Sequence, residues 1–134
     1  MSKEKLYIFD TTLRDGAQTQ GVDFSIDDKE KISNSLDTLG VDYIEGGWPG
    51  ANPTDTEFFN KDHGFKNAKL TAFGMTKKSE HSAKNDPMLA SLINSKSSSV
   101  CLFGKSWDFQ VDVALGITNE ENLENISESA KHIV

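Results

Sequence analysis

The sequence predicts an α/β fold of four successive strand–helix units with a parallel sheet. Short apolar runs of strand length alternate with longer segments in which apolar residues recur at helical spacing. Helix-start signals follow each apolar run, and no hairpin turn separates one run from the next. Because a helix then lies between each pair of consecutive strands, parallel pairing is the economical arrangement.

The first unit contains a strand over Leu6–Asp10 and a helix that begins after Ser25. Ser25 and Asp28 have the spacing of a capping box, in which each side chain accepts from the other residue's backbone N–H. Gly40 supplies a helix stop. The apolar residues of this helix recur at helical spacing: Ile32, Leu36 and Leu39.

The second unit begins with a strand over Val41–Glu45. Asn52 then provides a helix cap, and Pro53 occupies the first helical position, where a missing N–H costs nothing. A short helix is therefore predicted through Phe58 and Phe59.

The last two units repeat the pattern, with strands over Lys69–Met75 and Ser99–Phe103. Asp86 and Pro87 open the third helix, and Thr118 with Glu121 predicts a capping box for the fourth. The apolar faces expected for these two helices are Leu89, Leu92 and Ile93 in the third, and Leu123, Ile126, Ala130 and Ile133 in the fourth.

Residues 1–134 are predicted to form a single domain, because no linker or low-complexity segment divides them. Two architectures accept four such units. One is a small doubly wound open sheet, and the other is half of a (β/α)8 TIM barrel. Length favours the open sheet, because a complete barrel needs about 250 residues.

Composition excludes several functional classes. The chain carries 14 basic and 21 acidic residues, a net charge of -7, which argues against a nucleic-acid partner. No apolar run approaches the roughly 20 residues that cross a membrane, and the first residues do not resemble a signal peptide, so a cytoplasmic location is expected. The single cysteine, Cys101, lies in an apolar run and is predicted to be a small core residue.

The segment FDTTLRDGAQ, residues 9–18, concentrates the chemistry at the end of the first strand. Arg14 presents several donors that suit a carboxylate or a developing oxyanion. Asp10 and Asp15 carry the hard oxygen ligands that a divalent cation prefers. The alternative is a structural loop in which these residues only cap helices and pair with one another.

This motif resembles the signature of the isopropylmalate, homocitrate and citramalate synthase family, whose barrel core is shared with 3-hydroxy-3-methylglutaryl-CoA lyases. Three further segments resemble the citramalate synthase branch in order and spacing: IEGGWPGANPTDTEFF (44–59), KLTAFGMTKK (69–78) and KSWDF (105–109). The resemblance covers essentially the whole chain. It favours the second architecture, the N-terminal half of a catalytic TIM barrel.

The resemblance also implies roles for individual residues. Asp15 would be a ligand of a divalent metal (Mg²⁺, Mn²⁺ or Zn²⁺), and Arg14 would stabilise negative charge on a carbonyl oxygen. Glu45 would orient Arg14, while Asp10 would hydrogen-bond its own loop. The residues implied in substrate binding are Gln18, Phe73 and Leu102, the last two being equally compatible with barrel core.

The implied reaction is a Claisen-type condensation of acetyl-CoA with a 2-oxo acid, pyruvate in the citramalate branch, followed by thioester hydrolysis. Coenzyme A is anionic and would need a local basic site in this acidic chain. Three lysines are candidates for such a site: Lys77, Lys78 and Lys105. A lyase reaction is the second chemistry compatible with the shared core.

The chain departs from the family pattern in having no His-x-His pair. His63, His81 and His132 are interpreted as solvated residues. Three interpretations are therefore open: the chain is expected to be a truncated and inactive piece of a synthase, one half of a split enzyme, or a non-catalytic binding module. Since four parallel strands cannot close a barrel, two strand edges should stay open, and a homodimer that covers the open face is expected.

Overall fold

A computed structural model describes residues 4–134 and shows the predicted fold, a four-stranded parallel sheet in the order β1-β2-β3-β4 with a helix after each strand. The elements are, in chain order, β1 (Phe9–Asp10), α1 (Ile26–Leu39), β2 (Tyr43–Gly47), α2 (Pro53–Phe59), β3 (Lys69–Met75), α3 (Pro87–Asn94), β4 (Ser99–Phe103), α4 (Asp108–Gln110) and α5 (Asn119–Ile133). A π-helical segment, Val111–Leu115, follows α4 directly. Among residues 4–134, no helix combines the length and the apolar character that crossing a membrane requires.

The predicted helix boundaries are confirmed where a side chain caps the helix. Ser25 and Asp28 form the reciprocal capping box at the start of α1, and Gly40 ends this helix with a φ of 89°. The Asn52 side chain accepts from the Asp55 N–H in the first turn of α2, and Asp86 accepts from the Met88 and Leu89 N–H groups of α3. Each of these caps is followed by proline. The bounds of β3 and β4 are also those predicted.

The prediction for the first strand was wrong in length, because only Phe9–Asp10 pair with β2. Leu6 is 84% exposed, and Tyr7 and Ile8 are mostly exposed as well. The backbone of Ile8 is instead tethered at one point: its N–H donates to the Asp42 carboxylate at 2.8 Å, and its carbonyl accepts from Asp42 N at 3.0 Å. β2 correspondingly begins at Tyr43 and not at Val41.

The hydrophobic core lies between the sheet and the helices on one side. Gly46 on β2, Gly74 on β3 and Gly104 directly after β4 face this side. A Cβ atom at these positions would overlap the side chains of Phe58, Leu92 and Ile126, respectively. The absence of a side chain therefore lets the helices approach the sheet closely. The buried apolar residues of this layer are Leu13, Val41, Ile44, Phe58, Phe59, Leu70, Ala72, Leu89 and Leu92.

The predicted apolar face of α5 was confirmed only in part. Ile126 and Ile133 are half-buried, but Leu123 and Ala130 are exposed, and the fully buried positions are polar: Asn122, Asn125 and Ser129. Each of these three binds the loops after β3 and β4, Asn122 through the Lys105 carbonyl (2.9 Å), Asn125 through Ser79 (2.7 Å) and Ser129 through the Lys77 N–H (2.9 Å). Much of this helix packs on irregular backbone, which needs hydrogen-bond partners, while Ile133 reaches the hydrophobic core.

Two other predictions for apolar side chains were wrong, because Leu39 and Ile93 point largely to solvent. The helical segment 108–115 was not predicted at all. Only Val111 of this segment is buried, so the segment has no apolar stripe from which a helix could be recognised.

A charged site at the carboxyl ends of the strands

The loop after β1 is held in a tight turn. The Thr11 carbonyl accepts from three successive N–H groups, those of Arg14, Asp15 and Gly16 (2.9–3.2 Å). The Asp10 carboxylate accepts from the N–H and the hydroxyl of Thr12 at 3.0 and 3.1 Å. Asp10 therefore fixes the loop, as predicted, and this turn directs Arg14 over the end of the sheet.

Arg14 and Glu45 are brought together from β1 and β2. Arg14 Nε donates to Glu45 Oε2 at 2.8 Å, and Glu45 is 1% exposed. The guanidinium also lies over the ring of Phe73 on β3, with its carbon 4.2 Å from the ring centroid. A carboxylate and an aromatic face thus hold a flexible side chain in one position, and the cost of ordering it is met before any ligand binds.

Asp15 faces solvent beside this pair. Its side chain is 65% exposed, and its closest charged partner is Arg14, with 3.4 Å between Nη1 and Oδ1. Among residues 4–134, no group of three His, Cys, Asp or Glu side chains has the arrangement of a metal site. Since a catalytic divalent cation takes several protein ligands, the donors described here do not by themselves fit one.

The predicted substrate-binding residues are divided between two places. Gln18 and Arg14 line one cleft of about 380 Å³, which Trp48 also borders. Phe73 contacts both the Arg14 guanidinium and the Trp48 ring, which lies nearly perpendicular to it. Leu102 instead packs against the hydrophobic core between sheet and helices, which favours its interpretation as core.

Cys101 lies beside the site and not in the core as predicted. It is half-buried, pairs in register with Phe73 and is adjacent to Glu45. Burial raises the pKa of the Cys101 thiol, and the hydrogen bond to the negatively charged Glu45 raises this pKa further, although Arg14 acts in the opposite direction. The thiol therefore stays protonated near neutral pH and is a weak nucleophile.

The structure counts against two of the three histidines predicted to be solvated and against one of the three lysines considered for coenzyme A. The His63 ring packs between Phe58 and Phe65, and its Nε2 lies 2.9 Å from the Phe58 carbonyl oxygen, so the prediction for His63 was wrong. His132 is exposed as predicted, whereas His81 is half-buried. Lys77 is buried and paired with Glu128 at 3.1 Å, which leaves this lysine unsuited to binding a phosphate.

Sequence reasoning missed Lys29, which is 3% exposed under the site. Its ammonium donates to the Leu13 and Gly46 carbonyls and pairs with Asp55. The available signal was the position of Lys29 three residues before Ile32, on the stripe of α1 that faces the protein.

Four parallel strand–helix units, with an arginine–glutamate pair at the strand carboxyl ends, define an α/β protein with part of a TIM-barrel fold. The HMGL-like family model matches residues 5–134, and the chain therefore belongs to this family.

Comparison with known proteins places synthases among its relatives. The chain is 52% identical over 132 residues to the (R)-citramalate synthase of Aquifex aeolicus, covering 97% of the chain and 25% of that protein. It is 47% identical to the (R)-citramalate synthase of Sulfolobus acidocaldarius over 99% of the chain and 26% of that protein. The 2-isopropylmalate synthase of the same organism is 33% identical over 98% of the chain and 33% of that protein. The chain thus spans between a quarter and a third of these relatives.

Proposed function

We propose that the chain is part of the catalytic barrel of a synthase that condenses acetyl-CoA with a 2-oxo acid, pyruvate being the first candidate. The observation that supports this most is the 2.8 Å contact between Arg14 and the buried Glu45 at the ends of β1 and β2. The similarity to (R)-citramalate synthases supports pyruvate over longer 2-oxo acids. Such a biosynthetic enzyme would act in the cytoplasm.

Arg14 has N–H groups that are available to bind a substrate. Its Nε is engaged with Glu45, while its terminal nitrogens have only the 3.4 Å contact to the exposed Asp15. In the condensation, the enolate formed from the acetyl group of acetyl-CoA attacks the keto carbon of the 2-oxo acid, and negative charge develops on the keto oxygen. The terminal N–H groups of Arg14 would donate to this oxygen, while Glu45 keeps the guanidinium in place. The exposed Gln18 amide at the rim of the same cleft is the proposed contact for a polar group of the substrate.

A divalent metal would supply polarisation of the 2-oxo acid. Asp15 is the proposed carboxylate ligand, and because one carboxylate does not make a metal site, the remaining ligands would come from polypeptide other than residues 4–134. The isolated chain is therefore proposed to be inactive and to bind Mg²⁺, Mn²⁺ or Zn²⁺ only weakly.

The open sheet is proposed to bring about association. Within residues 4–134, the outer edges of β1 and β4 pair with no other strand. Large apolar side chains are exposed near both edges, namely Leu6, Tyr7, Ile8 and Phe9 at β1 and Phe103, Trp107 and Phe109 at β4. Surfaces of this kind drive association, so we propose that the isolated chain forms a homodimer that covers the open face of the sheet.

Sedimentation velocity at micromolar concentration tests the association. A compact monomer would refute the dimer, and a dimer in which the exposed aromatic residues stay accessible would refute its proposed geometry.

A chimera tests the catalytic proposal. In the (R)-citramalate synthase of A. aeolicus, the segment similar to this chain is replaced by residues 1–134, and thiol release from acetyl-CoA is measured with pyruvate and several longer 2-oxo acids. We expect turnover with pyruvate in the chimera and none in the isolated chain. A folded chimera without turnover would contradict the catalytic role of this segment.

Two alternative functions predict different results in the same chimera. Cleavage of 3-hydroxy-3-methylglutaryl-CoA without condensation would support lyase chemistry, which the shared HMGL-like core permits. If replacing Arg14 changes neither condensation nor cleavage in a folded chimera, a non-catalytic binding module becomes the better description.

A further inference from the structure

Lys29 on α1 is buried directly beneath the arginine–glutamate pair, with 3% of its surface exposed. Its Nζ donates to the Leu13 carbonyl at 3.0 Å and to the Gly46 carbonyl at 2.8 Å, and it forms an ion pair with Asp55 on α2. An ammonium group has three donors, so all of them are used within the protein.

The two carbonyl groups belong to the segments that carry the site. The Leu13 carbonyl is in the peptide that leads into Arg14, and Gly46 is the residue that follows Glu45. One ammonium therefore connects the end of β1 to the end of β2 at the level of their functional side chains. No β1–β2 ladder pair extends this far, because the pairing ends at Asp10 and Ile44. Beyond Asp10 and Ile44, the Lys29 ammonium bridges the two backbone segments.

Asp55 completes the attachment from the other side. Its Oδ2 accepts from the Trp48 N–H and from the Asn52 side-chain amide, both at 2.9 Å. Gly47 permits this approach: its φ is 141°, and a Cβ atom there would lie within about 2.7 Å of the Asp55 carboxyl group. The segment after Glu45 is thus fixed to the same carboxylate that pairs with Lys29.

We propose that Lys29 is a positioning residue, which sets the distance and orientation between Arg14 and Glu45 by holding their two backbone segments together. Stability alone does not require a lysine here, because a buried ion pair is commonly replaced by apolar residues at no cost. The direction of its donors toward the two site-bearing segments is what a positioning role requires. The inference rests on the proposed function only for the chemistry assigned to Arg14.

The test measures the Arg14–Glu45 contact directly in the 134-residue chain. Hydrogen exchange of the Arg14 Nε–H is followed by NMR and divided by the exchange rate of the Ile44 backbone amide, which corrects for changes in overall stability. In Lys29→Met we expect this ratio to rise by at least about tenfold, because a charge-assisted hydrogen bond loses its alignment.

Two controls separate positioning from stability. Lys61→Met removes a half-exposed lysine after α2 that pairs at 2.7 Å with Glu30, the neighbour of Lys29 on α1. Leu89→Ala destabilises the buried core away from the site. Both variants should leave the exchange ratio within about twofold of the unmodified chain, by the additivity expected of distant sites.

If Lys29→Met does not fold, the double variant Lys29→Met/Asp55→Asn avoids a buried unpaired carboxylate and takes its place. An unchanged ratio in either folded variant overturns the inference, and so does an equal rise in Leu89→Ala. Turnover is measured separately in the chimera, where Lys29→Met should lower kcat with little change in KM. The exchange ratio is measured without turnover. The positioning role can therefore be tested even if the proposed function is wrong.

Discussion

The two halves of the molecule each contain a buried lysine, and the two lysines are used differently. In the first half, Lys29 binds two strand-end carbonyls and the largely buried carboxylate of Asp55. In the second half, Lys77 binds the His81 carbonyl at 3.0 Å and the carboxylate of Glu128, which is 44% exposed. The first lysine fixes the site-bearing ends of β1 and β2, whereas the second attaches a loop to α5. A buried lysine therefore indicates that two segments are held together, and the partners of its ammonium group show which segments they are.

The largest expected difference is in stability. Asp55→Ala leaves Lys29 buried without its counter-ion and should lower the free energy of unfolding by about 3–5 kcal/mol. Glu128→Ala should cost no more than about 1 kcal/mol, because water screens the half-exposed carboxylate that pairs with Lys77. Urea denaturation at neutral pH measures both variants. Equal losses would show that the two lysines are energetically alike.

A second difference is expected in catalysis. In the active chimera, Arg14→Ala should lower turnover by on the order of 10²–10³, the typical loss for one oxyanion donor. Lys131→Ala, which replaces an exposed lysine on α5, should leave turnover within about twofold, as expected of a surface substitution. Steady-state thiol release measures both variants. A comparable loss in Lys131→Ala would show that the effect of Arg14→Ala is not specific to the charged site.

Two glycines with positive φ sharpen the comparison further. Gly47→Ala combines a strained backbone with an overlap on Asp55 and should destabilise by about 2–4 kcal/mol. Gly116, at a φ of 66° after the π-helical segment, has open space around it, so Gly116→Ala should cost only about 1 kcal/mol. Thermal unfolding of the two variants gives the ranking, and the reverse order would contradict the close packing described around Asp55.

The smallest effect concerns acid stability in the first half. Burial alone would raise the pKa of Asp37, but its carboxylate accepts from the backbone N–H groups of Ala68, Lys66 and Asn67, and these lower its pKa below the ordinary 3.8. A lowered folded-state pKa means that the stabilisation is complete above pH 3.8 and is lost as the pH falls through the folded value. Asp37→Asn should therefore lower stability at neutral pH and flatten its decline in acid. A parallel decline in both proteins, followed by urea denaturation at several pH values, would count against this role.

The sequence predicted what is local. Capping residues such as Ser25, Asn52 and Asp86 specified helix starts, because their hydrogen bonds reach only two or three residues ahead. The pairing of Arg14 with Glu45 was implied by resemblance and is present in the structure. Lys29 was missed because its partners are backbone carbonyls 16 and 17 residues away. Every residue has such a carbonyl, so the amino-acid types at these positions do not indicate the contact.

Burial in the second half was predicted less well than its strand bounds, and for the same reason. Of the four apolar residues predicted to be buried on α5, Leu123 and Ala130 are exposed, since much of this helix faces loops and not a sheet. Asn122, Asn125 and Ser129 are short polar side chains whose burial depends on where the loops after β3 and β4 lie. The length of an edge strand also depends on distant residues, because it is set by pairing with the neighbouring strand. The short β1 is an example.

The three strand glycines that face the helices have a consequence for how this architecture can vary. Gly46, Gly74 and Gly104 lie at the ends of β2, β3 and β4, where a methyl group would meet Phe58, Leu92 or Ile126. They set the thickness of the two-layer structure at the end where the charged site lies. A side chain at any one of them would push one helix away from the sheet. The loop between that helix and the preceding strand would move with it. The geometry of the charged site at the strand ends thus depends on glycines in the layer between sheet and helices, where no ligand would touch them.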